Sequence, residues 1–180
     1  MQLIINDRLY LEQTQLAHAA PLFQQIDKSR THLSEFLPWV PSIASEEDMC
    51  TYLLKSIQLI ENGLEASFNI FLDGKLQGRI GLHHINMPNR SAAIGYWLGK
   101  DGVGKGLILQ SCIQLMAYGF NNLKLNRIEI KAALSNFRSQ AIPEKLGFKK
   151  EGILRQAEFL NGKFIDLQLY ALLKEEWDTQ

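Results

Sequence analysis

The sequence predicts one α+β (α/β) domain over residues 1–180, built on a mixed, mainly antiparallel sheet of about seven strands with about four helices. Three observations lead there. Strand-like segments outnumber the helices that could serve as crossovers, so many neighbouring strands must be joined by hairpins. Asn161-Gly162 stands between two long strand-like runs, the strongest hairpin signal in the chain. Finally, 180 residues that are 46% hydrophobic and 21% charged match a single globular domain, one able to bury on the order of 70% of its unfolded surface without disulfides or metal.

Taken in order, Arg8 to Glu12 is a short first strand and Ala17 to Lys28 a helical region. Leu33 to Ser42, with Pro38, Trp39 and Pro41, is a loop carrying a large aromatic. Ser45 with Asp48 three residues on forms an N-cap box. Met49, Tyr52, Leu53, Ile57 and Ile60 then follow a helical stripe that ends at Gly63. Phe68 to Leu72, a turn at Asp73-Gly74 and Lys75 to His84 make a hairpin, and Ala92 to Leu98 another strand. Lys105 to Phe120 places Leu109, Cys112, Ile113, Met116 and Phe120 on one helical stripe. Arg127 to Ala133 is a strand. Asn136 opens a short helix that Gly147 closes, and Phe148 to Phe159 with Phe164 to Leu173 flank the final turn.

Composition narrows the function. Nineteen Lys+Arg balance nineteen Asp+Glu, so the broad basic footprint of a nucleic-acid or anionic-membrane partner is missing. Cys50 and Cys112 lie far apart with no Cys/His cluster, which predicts structural thiols in a reduced, cytoplasmic protein and no metal site. Asp7 and Arg8 interrupt the N-terminus before a signal-like apolar stretch, and the run Gly106 to Leu123 is too polar to span a membrane.

Chemistry is concentrated between the Ala92 strand and the helix after it. Gly102, Gly104 and Gly106 let backbone N–H groups turn inward beside a helix N-terminus, which suits a phosphate or pyrophosphate. Gly99 to Lys105 fits GxxxxGK, but Gly106 follows where a P-loop needs Ser or Thr for magnesium. The dinucleotide pattern GxGxxG ends on Leu107 or Leu109. A metal-free anion cradle is what remains.

Four landmarks in order carry a family resemblance: Ile94-Gly95-Tyr96-Trp97-Leu98; Gly104-Lys105-Gly106; Asn136-Phe137-Arg138-Ser139 leading to Glu144-Lys145-Leu146-Gly147-Phe148; and Gln156-Ala157-Glu158-Phe159-Leu160-Asn161-Gly162. Spanning Ala92 to Asp166, they resemble the GNAT N-acetyltransferases, and within them the RimJ/RimL-type protein N-terminal acetyltransferases. The resemblance implies a sheet splayed between the Ala92 and Arg127 strands, with acetyl-CoA as cosubstrate in the gap. Its pyrophosphate would meet the amides of Gly104, Lys105, Gly106, Leu107 and Ile108. Its pantetheine would run beside Tyr96, Trp97 and Leu98, and Asn136 would touch the cofactor side. The same resemblance makes Glu158 the general base and Ser139 the group that meets the departing thiolate. Two positions depart from the pattern: Asp101 stands where Gln or Arg commonly begins the glycine motif, and Pro143 where many members carry a Tyr general acid.

Residue chemistry agrees with these roles. A thiol of pKa about 8.5 is a weakly basic leaving group, so a hydroxyl hydrogen bond from Ser139 can suffice; Ser139 shares a helix face with Pro143 at i and i+4. Backbone N–H groups near Leu98 would serve the thioester oxyanion. If Asn161-Gly162 is a two-residue turn, Glu158 faces Ile165 on an aliphatic face, where desolvation strengthens a carboxylate as a base. Either His83 or His84 is a competing base; the pair is read as structural or substrate-lining. At pH 7 an α-amine of pKa about 7.7 to 8.0 is roughly one-tenth or more neutral, against about four parts in ten thousand for lysine, which favours a protein N-terminus, that of a ribosomal protein included, as acceptor. A small-molecule amine acetyltransferase and a non-catalytic acyl-CoA-binding sensor module are the alternatives, and a homodimer is suggested only by the family resemblance.

Overall fold

The computed structural model describes residues 1–179. In chain order the strands are β1 (Gln2–Ile4), β2 (Leu9–Gln13), β3 (Ala66–Leu72), β4 (Lys75–Asn86), β5 (Ser91–Leu98), β6 (Arg127–Ala133), β7 (Lys149–Leu160) and β8 (Lys163–Leu173). The α-helices are α1 (Ala19–Ser34), α2 (Glu46–Glu61), α3 (Leu107–Ala117), α4 (Phe137–Lys145) and α5 (Lys174–Asp178). The expected seven strands and four helices become eight and five because the two terminal elements, β1 and α5, are too short to show a periodicity.

All strands lie in one sheet, in the order β1-β2-β3-β4-β5-β6-β8-β7. Each neighbouring pair is antiparallel except β5–β6, which is parallel and is bridged by the α3 crossover. Each face of the sheet carries its own core. On one, Ile108, Cys112, Leu115 and Met116 of α3 pack on Leu11, Phe68, Ile80, Leu82, Ile94 and Ile130. On the other, Leu22 and Ile26 of α1 and Met49 and Leu53 of α2 form a second cluster, joined by Trp39 and Trp97.

Local rules explain most boundaries. Ser45 accepts the Asp48 amide and the Asp48 carboxylate accepts the Ser45 amide at 2.9 Å, a closed capping box at the start of α2. α1 runs six residues past Lys28, to Ser34, because Leu33 continues its buried face. α3 begins at Leu107 instead of Lys105, since Gly106 adopts a left-handed φ of +71° as the cap. Its buried face is Leu107, Ile108, Ser111, Cys112, Leu115 and Met116, whereas Ile113, expected inside, is 43% exposed. A π-helical turn over Tyr118–Asn122 follows α3, and Phe120 within it is buried, as the stripe predicts.

Candidate active site

β5 and β6 pair only from Ser91↔Arg127 to Ile94↔Ile130, although β5 continues to Leu98 and β6 to Ala133. Beyond Ile94 the two strands part. The Gly99 amide donates to the Gln77 carbonyl at 2.8 Å, and in an antiparallel ladder hydrogen-bonded residues alternate. Trp97 and Gly95 therefore bond to β4, so the main-chain groups of Tyr96 and Leu98 turn toward the side where β6 has left. The expected splay and the expected amide near Leu98 both have this origin.

At the β5 end of the gap the chain is braced before it enters the glycine turn. The Lys100 amide donates to Ser29 Oγ of α1 at 2.8 Å, and the Gly102 amide closes on the Gly99 carbonyl at 3.0 Å. Gly104 and Gly106 follow with φ of +82° and +71°. A Cβ at Gly104 would meet nothing within 4 Å, so this backbone opens onto free space. Among the described residues the amides of Gly104, Lys105, Gly106, Leu107 and Ile108 have no backbone acceptor, and the α3 N-terminus adds its partial positive charge. A row of unclaimed amides, on exposed residues from Gly104 to Gly106 and on the first turn of α3 behind them, beside a strand gap fits a pyrophosphate with a pantetheine arm. Lys105 is exposed here, and so is Asp101.

α4 forms the opposite wall. Asn136 is its N-cap: the side-chain oxygen accepts the Ser139 amide at 3.1 Å. That leaves the Ser139 hydroxyl free of any capping duty. It lies 3.1 Å from the Tyr96 hydroxyl, which also donates to the Ser139 carbonyl at 3.0 Å. Tyr96 thus reaches from β5 across the gap to α4. Burial, foremost, drives its phenol pKa up, so it stays protonated at ordinary pH. Pro143 sits inside α4, as the sequence places it.

The β7–β8 hairpin carries Glu158. Asn161 and Gly162 have φ of +49° and +82°, the two-residue turn expected, and Glu158 pairs with Ile165, Phe159 with Phe164 and Leu160 with Lys163. Glu158 is half-buried, and desolvation raises its pKa. The sequence did not disclose a wide bulge just before it. Between Leu154↔Leu167 and Glu158↔Ile165, three residues on β7 oppose Asp166 alone. Gln156 there takes a left-handed φ of +51°, and its amide donates to Asp166 Oδ1 at 2.8 Å. Asp166 thereby braces the bulge that adjoins Glu158.

His83 and His84 separate at an irregularity in β4: His84 takes a left-handed φ of +54° and is exposed, while His83 is half-buried 3.6 Å from Glu65. Burial alone would raise the Glu65 pKa, but the nearby His83 ring, the hydrogen bond from Ser67 and the charge of Arg79 pull it down to about 2. Arg79, 4% exposed, bonds Glu65 at 3.1 Å and stacks on Tyr52, so this cluster is a buried ion pair beneath α2. Trp97 and Trp39 pack together at 5.9 Å in the same core. Cys112 is fully buried and its thiol is pushed up by that burial. Among the described residues no group of three or more His, Cys, Asp or Glu could hold a metal ion, and no helix is long and apolar enough to cross a membrane.

A sheet splayed at one parallel pair, with a glycine cradle at its edge, is the architecture of an acyl-CoA-dependent acyltransferase, and the chain belongs to the GNAT family: the acetyltransferase (GNAT) domain model matches residues 8–149. More particularly, it is 35% identical over 167 residues to the ribosomal-protein-serine acetyltransferase of Escherichia coli (strain K12), covering 93% of each chain. It is 46% identical over 119 residues to YdaF of Bacillus subtilis (strain 168), provisionally named a ribosomal N-acetyltransferase, across 66% of this chain and 64% of that one. A solved RimL ribosomal L7/L12 alpha-N-protein acetyltransferase in complex with coenzyme A matches with a TM-score of 0.94 at 28% identity, covering 98% of this chain and 99% of that one.

Proposed function

We propose that this protein is an acetyl-CoA-dependent N-acetyltransferase acting in the cytoplasm on the N-terminal α-amine of a protein, a ribosomal one. The splayed β5–β6 gap carries the reading, with unclaimed amides at its glycine end and the Ser139 hydroxyl on its far wall. Similarity to a ribosomal-protein-serine acetyltransferase over 93% of the chain supports the choice of acceptor.

In this mechanism the amides of Gly104 to Ile108, with Lys105 beside them, hold the pyrophosphate of acetyl-CoA. The outward edge of Tyr96, Trp97 and Leu98 aligns the pantetheine like an added strand, and Asn136 borders it from α4. Glu158 takes one proton from the incoming ammonium, directly or through water, and the nitrogen lone pair attacks the thioester carbonyl carbon. The Leu98 amide stabilises the oxyanion. When the C–S bond breaks its electron pair leaves on sulfur, Ser139 hydrogen-bonds that thiolate, and the second proton of the nitrogen returns to it as the amide forms.

Acetyl-CoA turnover against a panel of peptides with different free N-termini, an N-terminally blocked lysine peptide and spermidine tests the acceptor. Acetylation of the free N-termini alone is expected. Turnover on spermidine or on the blocked lysine peptide, with none on free N-termini, would overturn it.

A further inference from the structure

The phenol that many relatives carry in α4 is absent, because Pro143 occupies its place. Pro143 has a second consequence. In a helix the Ser139 carbonyl accepts the N–H four residues on, and proline has none. The Tyr96 hydroxyl fills that vacancy, donating to the Ser139 carbonyl at 3.0 Å. Its single proton being so placed, the 3.1 Å contact with Ser139 Oγ is made by the serine proton pointing at the tyrosine oxygen.

We infer that Tyr96 is the positioning residue for Ser139, supplying from β5 a phenol hydroxyl that in this chain cannot come from α4. The inference rests on the reading of Ser139 as the group that meets the CoA thiolate. In the free protein the Ser139 hydroxyl donates its hydrogen bond to the Tyr96 oxygen. When a thiolate forms beside it, the serine proton turns to sulfur and the tyrosine proton moves from the Ser139 carbonyl to Ser139 Oγ. The chain becomes Tyr96 O–H to Ser139 O–H to sulfur, each bond strengthening the next. No proton leaves the phenol. Tyr96 lies mostly inside the core that α3 covers, and Cys112 and Tyr170, the titratable groups there that act on it, are neutral, so the hydroxyl always has a proton to offer.

The test needs no acceptor amine. Titrating the thiol of bound CoA by its thiolate ultraviolet absorbance reads the hydrogen bond directly. The wild type is expected to ionise bound CoA below the free thiol. Tyr96→Phe removes one oxygen while keeping the main-chain edge, and is expected to move that titration up by about one pH unit at saturating CoA. Ser139→Ala should raise it at least as far, and the double variant should add nothing to Ser139→Ala. A Tyr96→Phe titration equal to wild type, a fully additive double variant, or wild-type-bound CoA that ionises like free CoA would overturn the inference. A protein that shows the coupling but acetylates no N-terminus would overturn the proposed acceptor instead.

Discussion

Replacing Glu158 by Gln keeps the side-chain volume and removes the base, and the loss can be worked out in two parts. An N-terminal amine of pKa about 7.7 to 8.0 is only one-tenth to one-sixth neutral near pH 7, so without a proton acceptor the usable substrate falls by about six- to tenfold. Losing general-base assistance as the bond forms costs about 10²- to 10⁴-fold. A fall in kcat of at least about a hundredfold near pH 7 is therefore expected, with KM for acetyl-CoA little changed. The pH profile is the sharper assay. Burial holds the Glu158 pKa above its ordinary value, so wild-type activity falls as pH drops through that raised value. The Gln variant should instead climb toward the amine pKa with a slope near one. Stability should move the other way. A carboxylate whose folded pKa is raised stabilises the fold below its unfolded pKa and loses that contribution as pH rises through the folded value. Gln never pays this charge-burial cost, so the variant should melt no lower than wild type near neutral pH. A kcat within about twofold of wild type, or an unchanged pH profile, would refute Glu158 as base.

Asp166→Ala removes the acceptor of the Gln156 amide and should loosen the bulge; kcat should fall with KM for acetyl-CoA retained, and the acid limb of the profile should move down toward an ordinary Glu as Glu158 becomes wetter. Equal profiles would separate Asp166 from the base. At Gly104, φ is +82° and the space is open, so Gly104→Ala costs only about 1 to 2 kcal/mol of backbone strain and should weaken CoA binding in calorimetry by misaiming the amides. Unchanged affinity would take the loop out of the cradle. Glu65→Ala leaves the Arg79 charge buried and unmatched, an expected loss of about 3–5 kcal/mol in urea unfolding. Because the Glu65 pKa is lowered to about 2, its contribution is complete above the ordinary carboxylate range and disappears as pH falls toward that value, so the variant and wild type should converge in acid.

The sequence disclosed what depends on local chemistry. Asn161-Gly162 set the hairpin register and hence the partner of Glu158, and the Ser45–Asp48 box and the glycine turn fell where turn and cap rules put them. Long-range consequences were not legible. The bulge before Glu158 depends on Asp166, ten residues from Gln156 in the chain, and no run of residue types marks it. The Tyr96–Ser139 bond joins residues 43 apart. Its only signal was negative: a proline four residues after the serine, legible as a missing acid and not as a carbonyl left open for a phenol. Ile113 was placed inside because apolar spacing fixes a stripe only to within its width: the face α3 buries is centred on Ile108, Cys112 and Leu115, and Ile113 lies beyond its edge.

The lone parallel pair has a mechanical meaning as well. Five strands, β1 to β5, follow one another as sequential neighbours, and β6, β8 and β7 form a second block; within the sheet the two meet only along four residue pairs, Ser91↔Arg127 to Ile94↔Ile130. That line is a seam between two halves of the sheet, and a cosubstrate lying in the gap beyond it would act as a clasp. Amide hydrogen exchange near Ile94 and Ile130 should slow on CoA binding more than exchange in the β3–β4 ladder, tying cohesion of the sheet to occupancy of its site.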